Sequence, residues 1–286
     1  MKRCLHCQAR FDQSGWTCPR CGYAPAESNG VLVFAPALAD GDGSDAEYRF
    51  ERLAAAQSWH FWFVRRAMLR SWALQKYFPT ARTFLEVGCG AGGVSWALSQ
   101  AVPALRITAG DTRLAGLEFA RQRAGRVDVV QCDAAELPFD SEFDVAGAFD
   151  VIEHLDDDAS ALAAMRDVVR PRGGVLVTVP QHPWLWSAVD DFSHHRRRYT
   201  RAVLRSKLAA AGLEVLRMTS FVAAGLPVLW ISRRSPQQFD PEREMGICPV
   251  ANAVMGGLLA LEHRMIAAGL SLPFGTSLLA VARRAA

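Results

Sequence analysis

Thr83-Phe-Leu-Glu86-Val-Gly88-Cys-Gly90-Ala-Gly92-Gly93 runs from an apolar strand-like stretch into closely spaced glycines and then into the helix-forming Val94-Ser-Trp-Ala-Leu98. This reads as strand, tight turn and helix. Glycines at alternate positions let a backbone approach a ligand closely, and the helix that follows presents free amide donors and a partial positive charge. The next apolar run, Ile107-Thr-Ala-Gly110-Asp111, ends on a carboxylate, as expected where a nucleoside ribose is held at the edge of a doubly wound sheet. A nucleotide-like cofactor is the expectation.

Two further segments follow at strand-sized intervals: Val129-Val-Gln-Cys-Asp133-Ala-Ala-Glu-Leu-Pro-Phe139 and Phe143-Asp-Val-Ala-Gly-Ala-Phe149-Asp150-Val-Ile-Glu153-His154-Leu155. The four motifs in this order resemble the class I S-adenosylmethionine-dependent methyltransferases over roughly residues 47–286. The resemblance implies an α/β fold, a doubly wound seven-stranded Rossmann-like sheet with the last strand antiparallel. It also implies that Gly88, Gly90 and Gly92 line the methionine and ribose part of the cofactor. Glu86 would brace the loop and help bind the methionine amino group, and Asp111 would accept from the ribose hydroxyls. Asp133 would accept from the adenine amino group, with Ala134 and the Phe149 region completing the pocket. A nicotinamide-dinucleotide enzyme can carry a similar turn, but the later motifs fit the methyltransferase pattern better.

The N-terminal cysteines carry a separate signal. Cys4 and Cys7 are followed after ten residues by Cys18 and Cys21, with Gly22 behind the second pair. Paired thiolates at this spacing close a tetrahedral shell around Zn2+, and a segment this short has too little core to fold unaided. A structural zinc ribbon over residues 1–38 is expected, closed by a strand at Gly30-Val-Leu-Val-Phe34 and followed by a polar linker at 39–46. A disulfide pair is the alternative, disfavoured because Met1-Lys-Arg-Cys-Leu-His-Cys has no apolar core segment of a secretory signal and the chain reads as cytoplasmic.

Half the residues are hydrophobic, enough for a sizeable core, and a net charge of +3 without a basic tail does not imply obligate nucleic-acid binding. The domain expected over 47–286 alternates helix and strand, with an apolar helical insertion at 221–276. Phe221–Ile231 and Ala251–Leu270 are too short or too interrupted by Glu262, His263 and Arg264 to span a bilayer, which leaves peripheral membrane contact open. The helix expected from Asp157 to Arg170 is stopped at Pro171-Arg-Gly-Gly174.

Methyl transfer asks the protein for alignment and, for a hydroxyl or ammonium acceptor, for removal of a proton. The candidate bases are His154, after the fourth strand of the domain, and His182, after the fifth. Asp150-x-x-Glu153-His154 also resembles a divalent-cation cluster of some quinone-pathway O-methyltransferases, with Asp where that family has Glu. Trp184, Trp186, His195, Arg197, Arg198 and Tyr199 fall where acceptor-binding insertions occur, and guanidiniums with indoles suit a planar or anionic acceptor. The expected activity is transfer of a methyl group to oxygen or nitrogen of a small-molecule, lipid-linked or glycan-like acceptor. Two alternatives stand beside it: an RNA methyltransferase using the ribbon for RNA contact, and a non-catalytic partner-binding module on the same fold. The chain lacks the Asn/Asp-Pro-Pro-Tyr/Phe motif of amino-group base methylation at the fourth strand, which disfavours RNA, and its intact glycines and carboxylates disfavour decay.

Overall fold

The computed structural model describes residues 1–39, 45–226 and 246–285, with only the backbone of 45–50 and 124. Residues 40–44 of the expected linker and 227–245 of the expected insertion lie outside the described residues. Elements are numbered in chain order. The sheet is built outward from β5 (Thr83–Val87), every residue of which is buried. A strand covered on both faces reads as a continuous apolar run, which is how Thr83-Phe-Leu-Glu-Val appears in the sequence. It pairs in parallel with β6 (Arg106–Asp111) on one side and β8 (Phe143–Phe149) on the other, Phe84 lying opposite both Ile107 and Val145. Beyond β6 comes β7 (Val127–Gln131) and beyond β8 comes β9 (Val169–Pro180), both parallel. β11 (Ser277–Arg284), antiparallel to both its neighbours, and the edge strand β10 (Leu213–Phe221), which runs the same way as β9, complete the seven expected strands.

Helices cover both faces. Leu85, Val175 and Val177 pack under α5 (Asp158–Val168) and α7 (Arg201–Ala210), where Leu162, Leu204 and Leu208 are fully buried. Phe84, Ile107 and Leu176 face α2 (Phe61–Tyr77), α3 (Gly93–Ala101), α4 (Leu114–Ala124) and α8 (Pro249–Ala267). Each such buried leucine is worth about 1.5–3 kcal/mol relative to exposure. Gly147 in β8 has a structural reason, because a Cβ there would meet the Phe84 ring at 2.6 Å. Its absence lets Phe84 and Phe149 stack at 6.4 Å between centroids.

Two local expectations are corrected. The strand expected to close the ribbon does not: β3 (Ala26–Ser28) and β4 (Val31–Val33) form a hairpin whose second strand joins β7 in parallel, widening the sheet to nine strands. Val31 and Val33 point inward, and the buried Gln131 side chain clamps Ala35 with bonds of 2.9 and 2.8 Å, so the hairpin covers an otherwise open strand edge. Second, α5 stops at Val168 because Val169 already pairs with Phe143; residues 170–173 are accommodated by a register shift before Gly174 meets Val145.

The ribbon, β1 (Lys2–Arg3) and β2 (Arg10–Phe11) with the loops between, rests on residues 137–142. Arg3 N donates to Pro138 O at 3.0 Å, Asp140 N to Met1 O at 2.9 Å, and Trp16 meets Phe34 and Phe139 edge-on at 4.8 and 5.7 Å.

Candidate active site

The sequence-expected cofactor residues converge at the C-terminal ends of β5 to β8, where the chain leaves β5 toward opposite sides of the sheet and crevices form in doubly wound folds. Gly88, Gly90 and Gly92 all have positive φ, at 73, 50 and 69°. Their surroundings differ. A Cβ at Gly88 would strike Val151 and one at Gly92 would strike Ala120, whereas one at Gly90 meets nothing within 4 Å. Close packing therefore fixes the outer two glycines, and the middle one borders open space that a ligand can use.

Asp111 ends β6 and holds this turn: its carboxylate accepts from Gly90 N at 2.8 Å and from Arg113 N at 3.0 Å. Asp133 accepts from Ala135 N at 2.9 Å, fixing the loop that carries the buried Ala134. Glu86 is almost wholly buried and accepts from the Ser95 hydroxyl. Burial pushes its carboxyl up to about 7, with Ser95 and Arg70 acting against the rise. An acid poised there becomes a full carboxylate when an ammonium arrives, so these groups fit an amino-acid-bearing nucleoside.

Arg66 and Arg70 support the end of β8, a place the sequence reading did not assign them. Both are buried on α2 and both grip Asp150 at the end of β8, Arg70 at 2.5 Å, with Thr178 adding to Arg70 at 3.0 Å. Burial alone would raise the Asp150 carboxyl, but the two guanidiniums win and hold it low. Arg70 also lies 4.8 Å over the Phe149 ring, fixing the residue expected beside the cofactor. Their signal in the sequence is two arginines at i and i+4 within an apolar helix face next to Leu69, Ala73 and Leu74.

The loop between β9 and α7 departs most from expectation. Of the residues expected to meet an acceptor, Arg197, Arg198 and Tyr199 turn inward instead. Arg198 forms a two-pronged pair with the fully buried Asp190 at 2.7 and 3.0 Å and donates to Gln181 O at 3.1 Å. Arg197 donates to the carbonyls of Leu155 and Asp156 at 3.0 and 2.9 Å. Tyr199 is wholly buried with its hydroxyl 2.6 Å from Asp158. Buried carbonyls and carboxylates need donors, and this loop supplies them. Trp184 and Trp186 are 57% and 40% exposed and stay available.

His182 has φ of +64°, strained for a non-glycine residue, and its ring lies 5.1 Å from Trp184 and 6.4 Å from Phe274. Its Nε2 is buried without a hydrogen-bond partner. Burial and then Arg198 lower its pKa, keeping the ring neutral. His154 is placed differently, in a single turn at Ile152–His154, with its ring 4.7 Å from that of His195. Burial, then His195, lowers its pKa. Beside it the carboxyl of Glu153 is fully buried with neither oxygen partnered, and burial pushes it well up.

The four ribbon cysteines come together as their spacing requires. Their sulfurs all lie within 4.8 Å of one another, with Cys4 to Cys21 and Cys7 to Cys18 each at 3.6 Å. Tetrahedral Zn–S bonds of about 2.3 Å imply sulfur separations near 3.8 Å, whereas a disulfide needs about 2.05 Å. The set fits zinc.

A separate groove of about 590 Å3 runs between α2 and α3, lined by Phe63, Met68, Trp72, Trp96 and His263 among others. It includes Gly93 and Arg70 but neither Asp111 nor Asp133, so it is distinct from the cofactor cradle.

Comparisons with known proteins bear on the fold and the reaction class. The methyltransferase-domain family profile matches residues 84–173. A probable S-adenosylmethionine-dependent methyltransferase of Mycobacterium tuberculosis is 33% identical over 160 residues, which is 54% of this chain and 56% of the relative. The chain thus spans little more than half the length of that relative. A ubiquinone biosynthesis O-methyltransferase of Pseudomonas paraeruginosa is 29% identical over 197 residues, 58% of this chain and 82% of the relative. Among solved structures, a geranyl diphosphate methyltransferase in complex with S-adenosylmethionine superposes with a TM-score of 0.54 at 16% identity, covering 89% of this chain and 96% of its own. The motif order, the strand order and these likenesses together identify a methyltransferase domain in this chain, built on the class I fold of S-adenosylmethionine-dependent methyltransferases.

Proposed function

We propose that this chain binds S-adenosylmethionine in the cradle of Glu86, Gly88, Gly90, Gly92, Asp111, Asp133, Ala134 and Phe149. The methyl group goes to an oxygen or nitrogen of a small-molecule or lipid-linked acceptor. The observation that carries this reading is the convergence of a poised buried carboxyl, an open glycine and two strand-end carboxylates at one sheet edge. When bound, the cofactor supplies a methyl group already activated on a sulfonium. The residues then have three tasks. Glu86 holds the amino group, Asp111 and Asp133 orient ribose and adenine, and the Arg66–Asp150–Arg70 cluster stiffens the end of β8.

His182 is the favoured proton acceptor. Its neutral ring, unpartnered Nε2 and strained backbone are the features of a base kept ready rather than spent on the fold. The apolar rim around it, Trp184 and Phe274, suits a planar or amphiphilic acceptor. The exposed Val250, Val254, Leu258, Leu261 and Met265 stripe of α8 supports contact with an amphiphile or a membrane surface. Among the described residues no helix is long and apolar enough to cross a membrane. Zinc at Cys4, Cys7, Cys18 and Cys21 is structural in this reading.

Calorimetric titration with S-adenosylmethionine tests binding, and transfer of labelled methyl to phenolic, polyprenyl and amine acceptors tests the reaction. No heat of binding would refute the assignment. His182→Ala should lower turnover by about 100-fold with cofactor affinity unchanged. Retained turnover there, with loss in His154→Ala, would move the base to the end of β8.

A further inference from the structure

Helix α8 is apolar on both of its faces. One face, with Gly256, Leu259, Glu262 and Ile266, is buried against the domain. The other carries Val250, Val254, Leu258, Leu261 and Met265, which are 37–73% exposed and fall three or four residues apart along one side of the helix. We propose that this stripe, together with an arginine cluster at its C-terminal end, docks the protein on an anionic phospholipid bilayer.

The outward face of a surface helix is normally polar. Ten residues of α8 are exposed, and among them Arg264 alone is charged. From Val250 to Met265 the stripe extends about 22 Å at 1.5 Å per residue, and a contiguous apolar patch of this kind marks an interaction site. Exposed apolar side chains continue past the helix. Leu270 and Phe274 are both more than half exposed, and the Phe274 ring lies 6.4 Å from that of His182, itself 5.1 Å from exposed Trp184.

Charge selects among the partners an apolar face could take. Arg217 donates to the carbonyls of Gly269 and Leu270 at 2.9 and 2.6 Å, and Arg201 to that of Leu272 at 2.8 Å, so both guanidiniums sit where α8 ends. Arg205 is exposed beside them, and the Arg201 pKa is lowered first by burial and then by Arg205 and Arg217. The hydrogen bonds of Arg201 and Arg217 end on carbonyls and on the Ser220 hydroxyl, so among the described residues no carboxylate meets either charge. The same face of a second copy would not meet it either. The single acid of α8, Glu262, is buried and accepts from the main chain of Val222 and Ala223. Acidic headgroups do meet it: apolar area bordered by cations is the composition of an interfacial helix, and each such arginine adds about fivefold in affinity for an anionic surface.

Docking through α8 brings the rim of His182 toward the lipid, so an amphiphilic acceptor would reach the base from the membrane. That use rests on the methyl-transfer reading; docking on the bilayer does not.

The test sediments the full chain with vesicles, an equal mixture of phosphatidylglycerol and phosphatidylcholine being set against phosphatidylcholine alone. Binding to the mixed vesicles is expected, weaker by about tenfold or more on phosphatidylcholine alone and falling with added salt. Val254→Glu combined with Leu258→Glu, both at exposed positions, should remove it. Arg205→Glu should weaken it by about tenfold on the mixed vesicles only. Circular dichroism shows that each variant is folded. No vesicle binding by the wild type, equal binding to the two compositions, or binding retained in the double variant overturns the proposal. A dimer in sedimentation velocity that the double variant loses, without vesicle binding, gives the stripe to a second copy and overturns it as well. S-adenosylmethionine titrated in parallel separates the two claims, because vesicle binding without cofactor binding would refute only methyl transfer, and cofactor binding without vesicle binding only the docking.

Discussion

Replacing Glu86 by Gln keeps the shape of the buried side chain and its contact with Ser95 but removes the titration. Burial raises this carboxyl from its ordinary 4.5 to about 7. A raised acid favours the folded state while it is protonated, so its contribution is complete below about 4.5 and is lost as the pH climbs through about 7. At about 1.4 kcal/mol per pH unit, the full loss amounts to about 3 kcal/mol. The side chain is fully buried, so solvent screening takes little from that figure. Urea unfolding of the cofactor-free protein over a pH series measures it directly. The wild type should lose stability relative to Glu86→Gln across that window, and the variant should be the more stable of the two in alkaline solution. Cofactor binding should respond in the opposite sense. Ionised Glu86 is the partner expected for the cofactor ammonium, so affinity should tighten with rising pH in the wild type and stay flat and weaker by about 1.5–3 kcal/mol in the variant. Stability curves that run parallel for the two proteins would refute the account of Glu86 as a strained, poised acid.

Asp111→Ala should weaken S-adenosylmethionine and S-adenosylhomocysteine by roughly 2–4 kcal/mol in calorimetry, because it removes charge-assisted acceptors and also frees Gly90 N, now held at 2.8 Å. Arg198→Ala should lower stability by about 3–5 kcal/mol because the buried Asp190 loses its guanidinium partner, read by chemical unfolding, rather than raise an acceptor's KM alone. Cys18→Ser should remove the zinc expected at the four cysteines, read by elemental analysis, and also weaken cofactor binding, because the ribbon rests on residues 137–142, which follow the Asp133 loop. Unchanged cofactor affinity in that protein would make the ribbon an independent module.

The sequence by itself determined the strand–turn–helix of the glycine loop, the two strand-end carboxylates, the alternation of helix and strand along the chain and the four cysteines. Each of these is local: a run of buried residues, a positive-φ turn or a short ligand spacing is written into consecutive positions. Only the tertiary structure decided what depends on residues far apart. The Val31–Val33 strand looks like part of the ribbon until the open edge of β7, about a hundred residues later, claims it. Nothing in the helix sequence alone assigns Arg66 and Arg70 a partner; Asp150, eighty residues later, is brought beneath them only by the fold. The arginines after His195 read as an acceptor-binding patch, because sequence reports charge but not direction; Asp190, Asp158 and the carbonyls of Leu155 and Gln181 turn them inward. The meeting of His195 with His154 is of the same kind, set by the packing of one loop against the end of a strand and by nothing in either segment alone.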